Sequence, residues 1–476
     1  MHTLHRALPR LARCTRQAST SSDIAGASLA APQLDYASLA RDAESHARNA
    51  ALRNVDLPLD TASRLTNLYA RFRDLTSRAN AKRHEQRELG ELVKKAKDAE
   101  QRQSAIRAAT ELKPEVQRLT TEVSELEDKL RALALLLPNT THPSSPHGAE
   151  KNARTVSVHG SERLPVDQAR DHVAVGNALE LFDLLAGSTV SGSAWYFLKN
   201  EAAQLELALI NYALSIAVKH GYTPTTTPDV VRSDIARRAG FRPRDAGTPI
   251  EASQIYSVET PRGSPELVLA GTAEIPLAGM HARQTYEPGA LPRKLAGLGR
   301  AFRAEAGAGG ADTRGLYRVH QFAKLELFVV CGAEESEQML EEIRAVQVEI
   351  FEGLGFPFRV LDMPTEELGA AAYRKYDIEA WMPGRGKWGE ISSASNCTDY
   401  QARRLLIRHA PAALGGRTSF AHTLNGTAAA VPRLIVALLE NGARFDVDGK
   451  VVGINLPKEL QPFWVNNPKR DLVRWV

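Results

Sequence analysis

Charged and aromatic side chains alternate with small apolar ones along residues 302–330. Successive side chains of a strand point to opposite faces, so an extended strand would place Arg303 and Glu305 on the same face. After a glycine-rich stretch, a second alternation places on one face Phe322, Lys324, Glu326 and Phe328. An antiparallel hairpin with an arginine, carboxylates and aromatic rings on one face suits a nucleotide, although a solvated polar face is the ordinary alternative.

The composition of the chain limits the kind of protein that can carry this hairpin. Its 476 residues exceed what one core organises, which predicts two or three domains. Its 43% hydrophobic and 24% charged residues are usual for globular proteins, and no apolar run reaches the roughly 18 residues of a membrane span. Three cysteines, far apart and without a CxxC pair, argue against a disulfide framework and a cysteine-based zinc site and fit a reducing compartment.

The first 22 residues are basic and lack acidic side chains. They carry Arg6, Arg10, Arg13 and Arg16, and the first acidic residue is Asp23. An arginine-rich, acid-free segment without a continuous apolar core is typical of a mitochondrial transit peptide. Residues 1–22 are therefore predicted to direct the protein to the mitochondrial matrix; a disordered basic tail is the alternative.

Residues 33–137 are predicted to form a helical arm. A short helical lead-in, residues 33–60, precedes two apolar stripes with heptad spacing, which start at Thr61 and at Val116. Pro114 disfavours an unbroken helix, so a break is expected near 98–114 and the helices should fold back as an antiparallel coiled coil. A helix of about 35 residues is about 50 Å long, too long for a compact core.

The first arm helix is basic, which allows two interpretations. Dimerisation through a coiled coil with a solvated face is one, and binding of an RNA backbone, whose phosphates attract cations without regard to sequence, is the other. The candidate RNA-binding residues are Arg71, Arg73, Arg78, Lys82, Arg83 and Arg87.

The remainder is predicted to be a linker and one large domain. Residues 138–165 are rich in Pro, Ser, Thr and Gly, as linkers are, and residues 166–476 form the domain. Helical segments and antiparallel hairpins occur there without regular βαβ alternation, which predicts an α+β fold with a mostly antiparallel sheet flanked by helices.

From about residue 33 to 465, the chain resembles the seryl-tRNA synthetases, which are class II aminoacyl-tRNA synthetases; the leader suggests the mitochondrial type. The matching pieces, in family order, are an LPN at the end of the arm, a first motif with Gly221, Tyr222, Pro224 and Pro228, GTAE at 271–274, FRxEAG…DTRGLxRxHQFxKxE at 302–326, EISSASNxxDYQARR at 390–404 and NGTAxAxPR at 425–433. The resemblance implies a homodimer built through the first motif and an arm that binds tRNA(Ser).

The resemblance also implies the residues that bind ATP. They are Arg303, Ala304, Glu305, Arg318, Val319, Phe322, Glu390, Ile391, Ser392, Ser393 and Arg433. Among them, Arg303 and Arg433 are the catalytic arginines, and Glu390 holds Mg²⁺, since a carboxylate beside a triphosphate needs a hard cation between them. Phe322 stacks on adenine and Glu305 meets its amino edge.

The implied serine site consists of Thr272, Ala273, Glu274, Glu326, Asn425 and Thr427. Thr272 and Glu274 are expected on one extended segment, where both can face the amino acid. Glu274 is the partner of the serine ammonium, and Glu326 accepts the hydroxyl. The implied reaction forms seryl-adenylate and then seryl-tRNA, and it needs no protein nucleophile.

Two alternatives stand beside this function. An amino acid:carrier-protein ligase resembles the catalytic domain but lacks the long arm. A non-catalytic, RNA-binding paralogue would have lost Arg303, Glu326, Glu390 or Arg433, and all four are present. The glycine-rich stretch GAGGAD, at 307–312, is the least family-like part of the pattern.

Overall fold

A computed structural model describes residues 29–241, 254–305, 314–411, 415–465, 467 and 469–476. The predicted leader, residues 1–22, and the glycine-rich stretch of the hairpin lie outside these ranges. The helices are α1 (Tyr36–Arg41), α2 (Ala43–Leu52), α3 (Thr61–Lys95), α4 (Ala99–Ala134), α5 (His172–Ala178), α6 (Leu184–Ser191), α7 (Asn200–Lys219), α8 (Ser233–Arg238), α9 (Glu274–Met280), α10 (Ser336–Glu352), α11 (Tyr400–Leu405) and α12 (Val431–Gly442).

The strands are β1 (Arg154–His159), β2 (Phe182–Asp183), β3 (Phe197–Leu198), β4 (Thr223–Thr226), β5 (Val230–Arg232), β6 (Ser257–Val258), β7 (Leu267–Leu269), β8 (Thr285–Tyr286), β9 (Arg293–Phe302), β10 (Gln321–Cys331), β11 (Phe358–Asp362), β12 (Arg374–Met382), β13 (Lys387–Asn396), β14 (Arg408–His409), β15 (Ser419–Phe420), β16 (His422–Ala430), β17 (Ala443–Phe445), β18 (Val451–Leu456) and β19 (Val473–Trp475). No helix within the described ranges combines the length and the apolar character that crossing a bilayer requires.

An eight-stranded sheet forms the centre of the large domain. Its order is β1-β11-β12-β13-β16-β10-β9-β4, and its neighbours are antiparallel except for β4 and β9. Helices α7, α10 and α12 contact it. The α+β class and the mostly antiparallel sheet are thus confirmed.

Strand β10 has the predicted division into two faces. Ala323, Leu325, Leu327 and Val329 belong to the main hydrophobic core, and Lys324 and Glu326 occupy the other face, where they form an ion pair. Phe328 departs from the expectation of a continuous polar face: it is fully buried in a second apolar cluster with residues of α8, α9 and α11. The polar surface therefore ends at Glu326, because these helices cover the sheet at Phe328.

The strand predicted to contain Arg303 and Glu305 ends earlier than expected. Strand β9 stops at Phe302, and the backbone N–H of Arg303 donates to the carbonyl of His320 at 2.9 Å. Glu305 has a φ of 47°, which lies in the left-handed region and breaks the extended alternation. The prediction that one extended strand sets the common face of Arg303 and Glu305 was therefore wrong. The hydrogen bond to His320 holds the backbone at Arg303 instead.

The arm is an antiparallel pair of long helices, as predicted. Helix α3 has 35 residues and α4 has 36, and they pack along each other. The turn is confined to residues 96–98, at the start of the range predicted for the break, and Pro114 lies inside α4, so the expectation that Pro114 interrupts the helix was wrong. Leu112 and Leu119, on either side of the proline, are buried, and this packing offsets the roughly 3 kcal/mol that an interior proline costs.

The base of the arm is fixed to the large domain through the LPN sequence. The side-chain amide of Asn139 donates to the carbonyls of Ala371 and Cys397 at 2.8 and 2.9 Å. Arg53, buried at the end of α2, donates to the carbonyl of Asn139 at 2.5 Å and also to that of Gly369. The lead-in, predicted to be helical, forms α1 and α2 and packs on this base.

The stretch predicted as a linker, residues 138–165, contains a strand of the main sheet. Strand β1 pairs antiparallel with β11, and Arg154 forms an ion pair with the buried Asp362 at 2.5 Å. The Pro- and Ser-rich composition of the preceding residues hid this edge strand, which is six residues long and has only two apolar side chains, Val156 and Val158.

Candidate active site

Two adjoining hollows lie on the polar face of the sheet beside the start of α12. They share Arg303, Phe322, Ala430 and Arg433. The first, of about 260 Å³, is completed by Glu305, Tyr317, Val319 and Pro432. The second, of about 300 Å³, is completed by Lys324, Glu390, Ile391, Ser392, Ser393 and Thr427. Side chains from three separate parts of the sequence thus meet at one place.

Arg433 and Arg303 enter this space from different elements. Arg433, on the first turn of α12 after Pro432, lies 3.1 Å from the Glu390 carboxylate and donates to the Glu390 carbonyl at 3.0 Å. Its guanidinium is 4.8 Å from the centre of the Tyr317 ring, and that of Arg303 is 5.3 Å from the Phe322 ring. Two cations flanked by two aromatic rings form a site for a planar, anionic ligand.

Two carboxyl groups near the hollows have pKa values shifted in opposite directions. Burial alone would raise the pKa of Glu390, but Arg433, Lys375 and Arg303 lower it to about 2, so this group remains ionised. Burial, with a contribution from Glu390, raises the pKa of Asp377 to about 7 although Lys375 lies 2.7 Å away. The Arg303 pKa is lowered by burial and by Arg433.

The backbone around Arg303 is held by a small network of hydrogen bonds. The ring nitrogen Nδ1 of His320 lies 2.9 Å from the Arg303 carbonyl, and the Ala304 N–H donates to the Gln254 carbonyl at 3.1 Å. Arg318, predicted to contact ATP, forms an ion pair with Glu305 at 3.1 Å and does not itself line either hollow. Arg318 therefore orients Glu305 in this arrangement.

The polar cluster next to the second hollow contains the predicted serine residues. Lys324 Nζ lies 2.6 Å from Glu326 Oε2 and donates to Thr272 Oγ1 at 3.1 Å. Glu326 is paired across the sheet with Thr427, so both side chains leave the same face. The predicted ammonium partner, Glu274, is buried and accepts from Gln401 Nε2 at 2.6 Å.

The expected extended segment for Thr272 and Glu274 is not present. Ala273 has helical dihedral angles and Glu274 opens α9, so the pair sits on a turn that enters a helix. Burial first and the neighbouring Glu326 second raise the pKa of Glu274 to about 7. Asn425 also differs from the expectation: it lines neither hollow and donates to Cys397 Sγ at 3.6 Å.

Several residues of the site were missed by the sequence analysis. They are Tyr317, Lys375, Asp377, Arg385 and Gln401. Lys375 and Asp377 show the alternation of charges along β12 that singled out Lys324 and Glu326, so the same pattern could have found them. Tyr317 and Gln401 stood inside the matched strings without a role.

The basic surface of the arm is only partly free. Arg71, Arg73, Arg78, Arg83 and Arg87 are exposed. Lys82 is half-buried and lies between Glu85 at 2.9 Å and Glu115 of the other helix at 3.8 Å. Arg83 donates to Thr120 at 3.0 Å, also across the helix pair. Lys82 thus joins the two helices, whereas most of the arginines face solvent.

Comparison with known proteins covers both parts of the chain. The model of the seryl-tRNA synthetase N-terminal domain matches residues 34–141, and that of the tRNA synthetase class II core domain (G, H, P, S and T) matches residues 256–442. The match to the arm disfavours the carrier-protein ligase considered above, since such ligases lack it.

Individual relatives extend the likeness over the whole catalytic domain. The chain is 42% identical to a serine--tRNA ligase of Rhodopirellula baltica, over 91% of this chain and 98% of the relative. It is 39% identical to a mitochondrial serine--tRNA ligase of Mus musculus, over 91% and 83% of the two chains. The seryl-tRNA synthetase of Pyrococcus horikoshii, solved in complex with ATP, superposes with a TM-score of 0.77 at 34% identity, covering 90% of this chain and 98% of that one.

The helical arm, the mostly antiparallel sheet and the paired arginines of the site occur together in a chain that matches these proteins over nine-tenths of its length. The chain therefore belongs to the seryl-tRNA synthetase family, the serine--tRNA ligases of class II.

Proposed function

We propose that this protein uses ATP and Mg²⁺ to join L-serine to tRNA(Ser) in the mitochondrial matrix. The observation that carries the proposal is the convergence of Arg303 and Arg433 on one hollow, next to a buried polar cluster around Glu274 and Glu326. The first part suits the phosphates and ring of a nucleotide, and the second suits a small amino acid.

In the first step, a serine carboxylate oxygen attacks the α-phosphorus of ATP. The new bond forms seryl-adenylate, and the bond to the bridging oxygen breaks to release pyrophosphate. The planar guanidinium of Arg303 can bind the serine carboxylate and the α-phosphate together and stabilise the charge of the transition state. Arg433 binds the outer phosphates, and the Phe322 ring stacks on the adenine.

Glu390 is the residue best suited to hold Mg²⁺. Its pKa of about 2 keeps it an anion beside the place proposed for the triphosphate, where an unscreened carboxylate would repel the nucleotide. Ser393, which lines the same hollow, would supply a second oxygen. When bound, the cation neutralises phosphate charge during the transfer.

Serine is selected by the polar cluster. Glu274 accepts the ammonium and Glu326 accepts the hydroxyl, with Thr272 and Thr427 beside them. Alanine would leave the Glu326 carboxylate, which is 2% exposed, with Lys324 but without the hydroxyl partner, and a buried hydrogen-bonding position left empty disfavours the wrong substrate.

In the second step, the terminal ribose hydroxyl of the tRNA attacks the carbonyl of the adenylate and AMP leaves. The arm is proposed to hold the tRNA through exposed arginines, including Arg71, Arg73 and Arg87. Such binding demands a cationic, extended surface, which the 35-residue α3 provides.

A homodimer is part of the proposal. Strand β4, which follows α7 in the first motif, lies at the edge of the main sheet. Helices α6 and α7 carry exposed apolar side chains: Leu185 and Val190 on α6 are 80% and 70% exposed, and Leu207 on α7, which contacts β4, is 58% exposed. Apolar surface of this kind is typical of an interface. Analytical ultracentrifugation should therefore give twice the 52.0 kDa mass of the chain.

The mitochondrial assignment rests on residues 1–22 and on relatives from Mus musculus and Schizosaccharomyces pombe that are named mitochondrial. A fluorescent fusion with and without residues 1–22 tests it. Loss of mitochondrial signal on removal of the segment is expected, and an unchanged distribution would refute the role of the leader.

Serine-dependent exchange between ATP and pyrophosphate is the direct test of the enzymatic proposal. We expect exchange with serine and Mg²⁺ present and none with alanine at the same concentration. A folded protein that gives no exchange under these conditions would refute the proposed function.

A further inference from the structure

Two buried polar side chains behind the first hollow have no part in the reaction proposed above. His172 opens α5, and Glu440 lies in α12; their side chains are 3% and 0% exposed. Nδ1 of His172 lies 3.0 Å from Oε1 of Glu440. Burying an imidazole and a carboxylate together is costly unless each of their polar atoms is satisfied, and both side chains have further partners.

The contacts fix the tautomer of His172. The backbone N–H of Leu316 donates to Nε2 at 3.2 Å, which requires Nε2 to be without a proton. The ring is therefore neutral, and Nδ1–H donates to Glu440. Asp171, His172 and Glu440 bring possible metal ligands within 4.8 Å of one another, but both ring nitrogens are already used, which favours a hydrogen-bonded bridge over a metal site.

Glu440 also holds a second segment. Its Oε2 accepts the backbone N–H of Arg385 at 3.1 Å. The Arg385 guanidinium lies 3.6 Å from the centre of the Tyr317 ring, and Tyr317 follows Leu316 directly and lines the first hollow. The Glu440 carboxylate thus holds two neighbours of Tyr317: Leu316, through His172, and Arg385, directly. We call Leu316, Tyr317 and Arg385 the Tyr317 wall.

The residue before Leu316 is adapted to this bridge. Gly315 has a φ of 81°, and a Cβ at this position would lie 2.2 Å from Nε2 of His172. Such a distance is a severe clash, so a side chain here would push Leu316 away from the imidazole. Next to it, Arg314 forms an ion pair with Asp171 at 3.1 Å. The end of the hairpin loop is therefore attached to α5 at two successive points.

We propose that His172 and Glu440 form a positioning pair that holds Leu316, Tyr317 and Arg385 in place as the wall of the nucleotide site. The inference rests on the proposed function, because the ligand of that wall is ATP. Helix α12 then acts at two positions: Arg433 on its first turn contacts the nucleotide and the Tyr317 ring, and Glu440, seven residues later, holds the Tyr317 wall from behind.

Two substitutions of His172 by amide side chains of different length test its two hydrogen bonds, to Glu440 and to Leu316, separately. In His172→Asn, the side-chain amide can still donate to Glu440 from near the Nδ1 position but cannot reach the Leu316 N–H. In His172→Gln, the longer side chain can accept from Leu316. We expect the KM for ATP to rise about tenfold in His172→Asn and less than about threefold in His172→Gln, as loss and retention of one buried hydrogen bond imply.

The readout is pyrophosphate exchange with each substrate varied in turn, with thermal melting and direct ATP binding by calorimetry alongside. The KM for serine should stay within about twofold in both variants, since the serine cluster is built from other elements. Gly315→Ala, which leaves His172 intact, should raise the KM for ATP in the same selective way and does not depend on the folding of the His172 variants.

Wild-type ATP affinity in His172→Asn would overturn the proposal. A parallel rise of both KM values together with a lower melting temperature would overturn it too, because that result indicates a general structural role. If the unmodified protein shows no serine-dependent exchange, the proposed function fails; ATP binding by calorimetry still compares the two amide variants and decides the positioning role separately.

Discussion

The site and the arm use charge in opposite ways. In the site, charged groups are held by fixed partners: Glu390 meets Arg433 of α12, and Lys324 meets Glu326 on its own strand and Thr272 before α9. On the arm, most of the basic residues of α3 are exposed, and Arg78 forms an ion pair with its helical neighbour Asp74 at 3.9 Å.

The difference reflects the two kinds of recognition that are proposed. A small ligand is selected by geometry, so its partners must be fixed and desolvated, where electrostatic interactions are strong. A nucleic acid backbone is a repeating line of charge, which exposed and mobile cations can follow. Single substitutions should therefore have large effects in the site and small, cumulative effects on the arm.

The largest effect is expected for Arg303→Ala. Its guanidinium is proposed to bind both anions of the first step, and loss of such a group should lower pyrophosphate exchange on the order of 10³-fold or more. Arg303→Lys, which keeps the charge but not the planar fork, is the control and should also be strongly impaired. Exchange within tenfold of the unmodified protein would contradict the expected difference between site and arm, because the site would then tolerate the loss of a single side chain as the arm does.

Removal of the outer arm should separate the two reaction steps. Replacing residues 77–123 with a short glycine-rich connection leaves the buried base around Leu65, Leu130 and Leu133 in place. Pyrophosphate exchange should change less than about twofold, whereas tRNA charging should fall on the order of 100-fold with the loss of several phosphate contacts. Charging that survives the deletion would show that the arm does not read the tRNA.

A smaller, pH-dependent effect is expected at the serine end. The raised pKa of Glu274, about 7, means that the carboxylate needed for the serine ammonium is lost as the pH falls below that value. The KM for serine should rise about tenfold per pH unit below 7. Glu274→Gln should show a higher KM that is flat across the same range; a pH slope that persists in this variant would assign the titration to another group.

The same pKa makes a prediction about folding. A carboxyl group whose pKa is raised from 4.5 to about 7 stabilises the fold below pH 4.5, and this contribution is lost as the pH rises through 7. Glu274→Gln should therefore gain stability relative to the unmodified protein between pH 5 and pH 8. Melting temperatures at the two pH values measure this; a difference that does not change with pH would contradict it.

The smallest effects are expected on the arm. Arg73→Gln should raise the KM for tRNA about two- to threefold. It should also lower by about one the number of ions released on binding, which is measured by the slope of log affinity against log salt concentration. Lys82→Gln is the matched comparison: Lys82 lies between Glu85 and Glu115, so its loss should change tRNA binding less. Measurements of charging at two ionic strengths distinguish them. A tenfold loss from either substitution would mean that the arm contains a fixed site of the kind found in the catalytic domain.

The sequence predicted features that depend on a repeated local pattern. The heptad stripes that start at Thr61 and at Val116 lie in α3 and α4, and the apolar face of β10 is continuous through Ala323 and Leu325. Such patterns record burial directly, so both elements could be predicted without knowledge of their partners.

Features that depend on tertiary contacts could not be predicted in this way. His172 and Glu440 are 268 positions apart and share no local pattern. Pro114 was expected to end a helix, because propensity is local, whereas the packing of the second helix decides the outcome. Ala273 adopts a helical turn, which residue types alone did not distinguish from an extended segment.

The hydrogen bonds between Asn139 and the carbonyls of Ala371 and Cys397 have a mechanical consequence. They lie at the short end of a lever whose long end is the tip of α3 and α4. With a length of about 50 Å, a tilt of about 5° at the base displaces the tip by about 4 Å, more than the reach of one phosphate contact. The stiffness of a few hydrogen bonds at the base of the arm therefore determines where its tip can meet the tRNA.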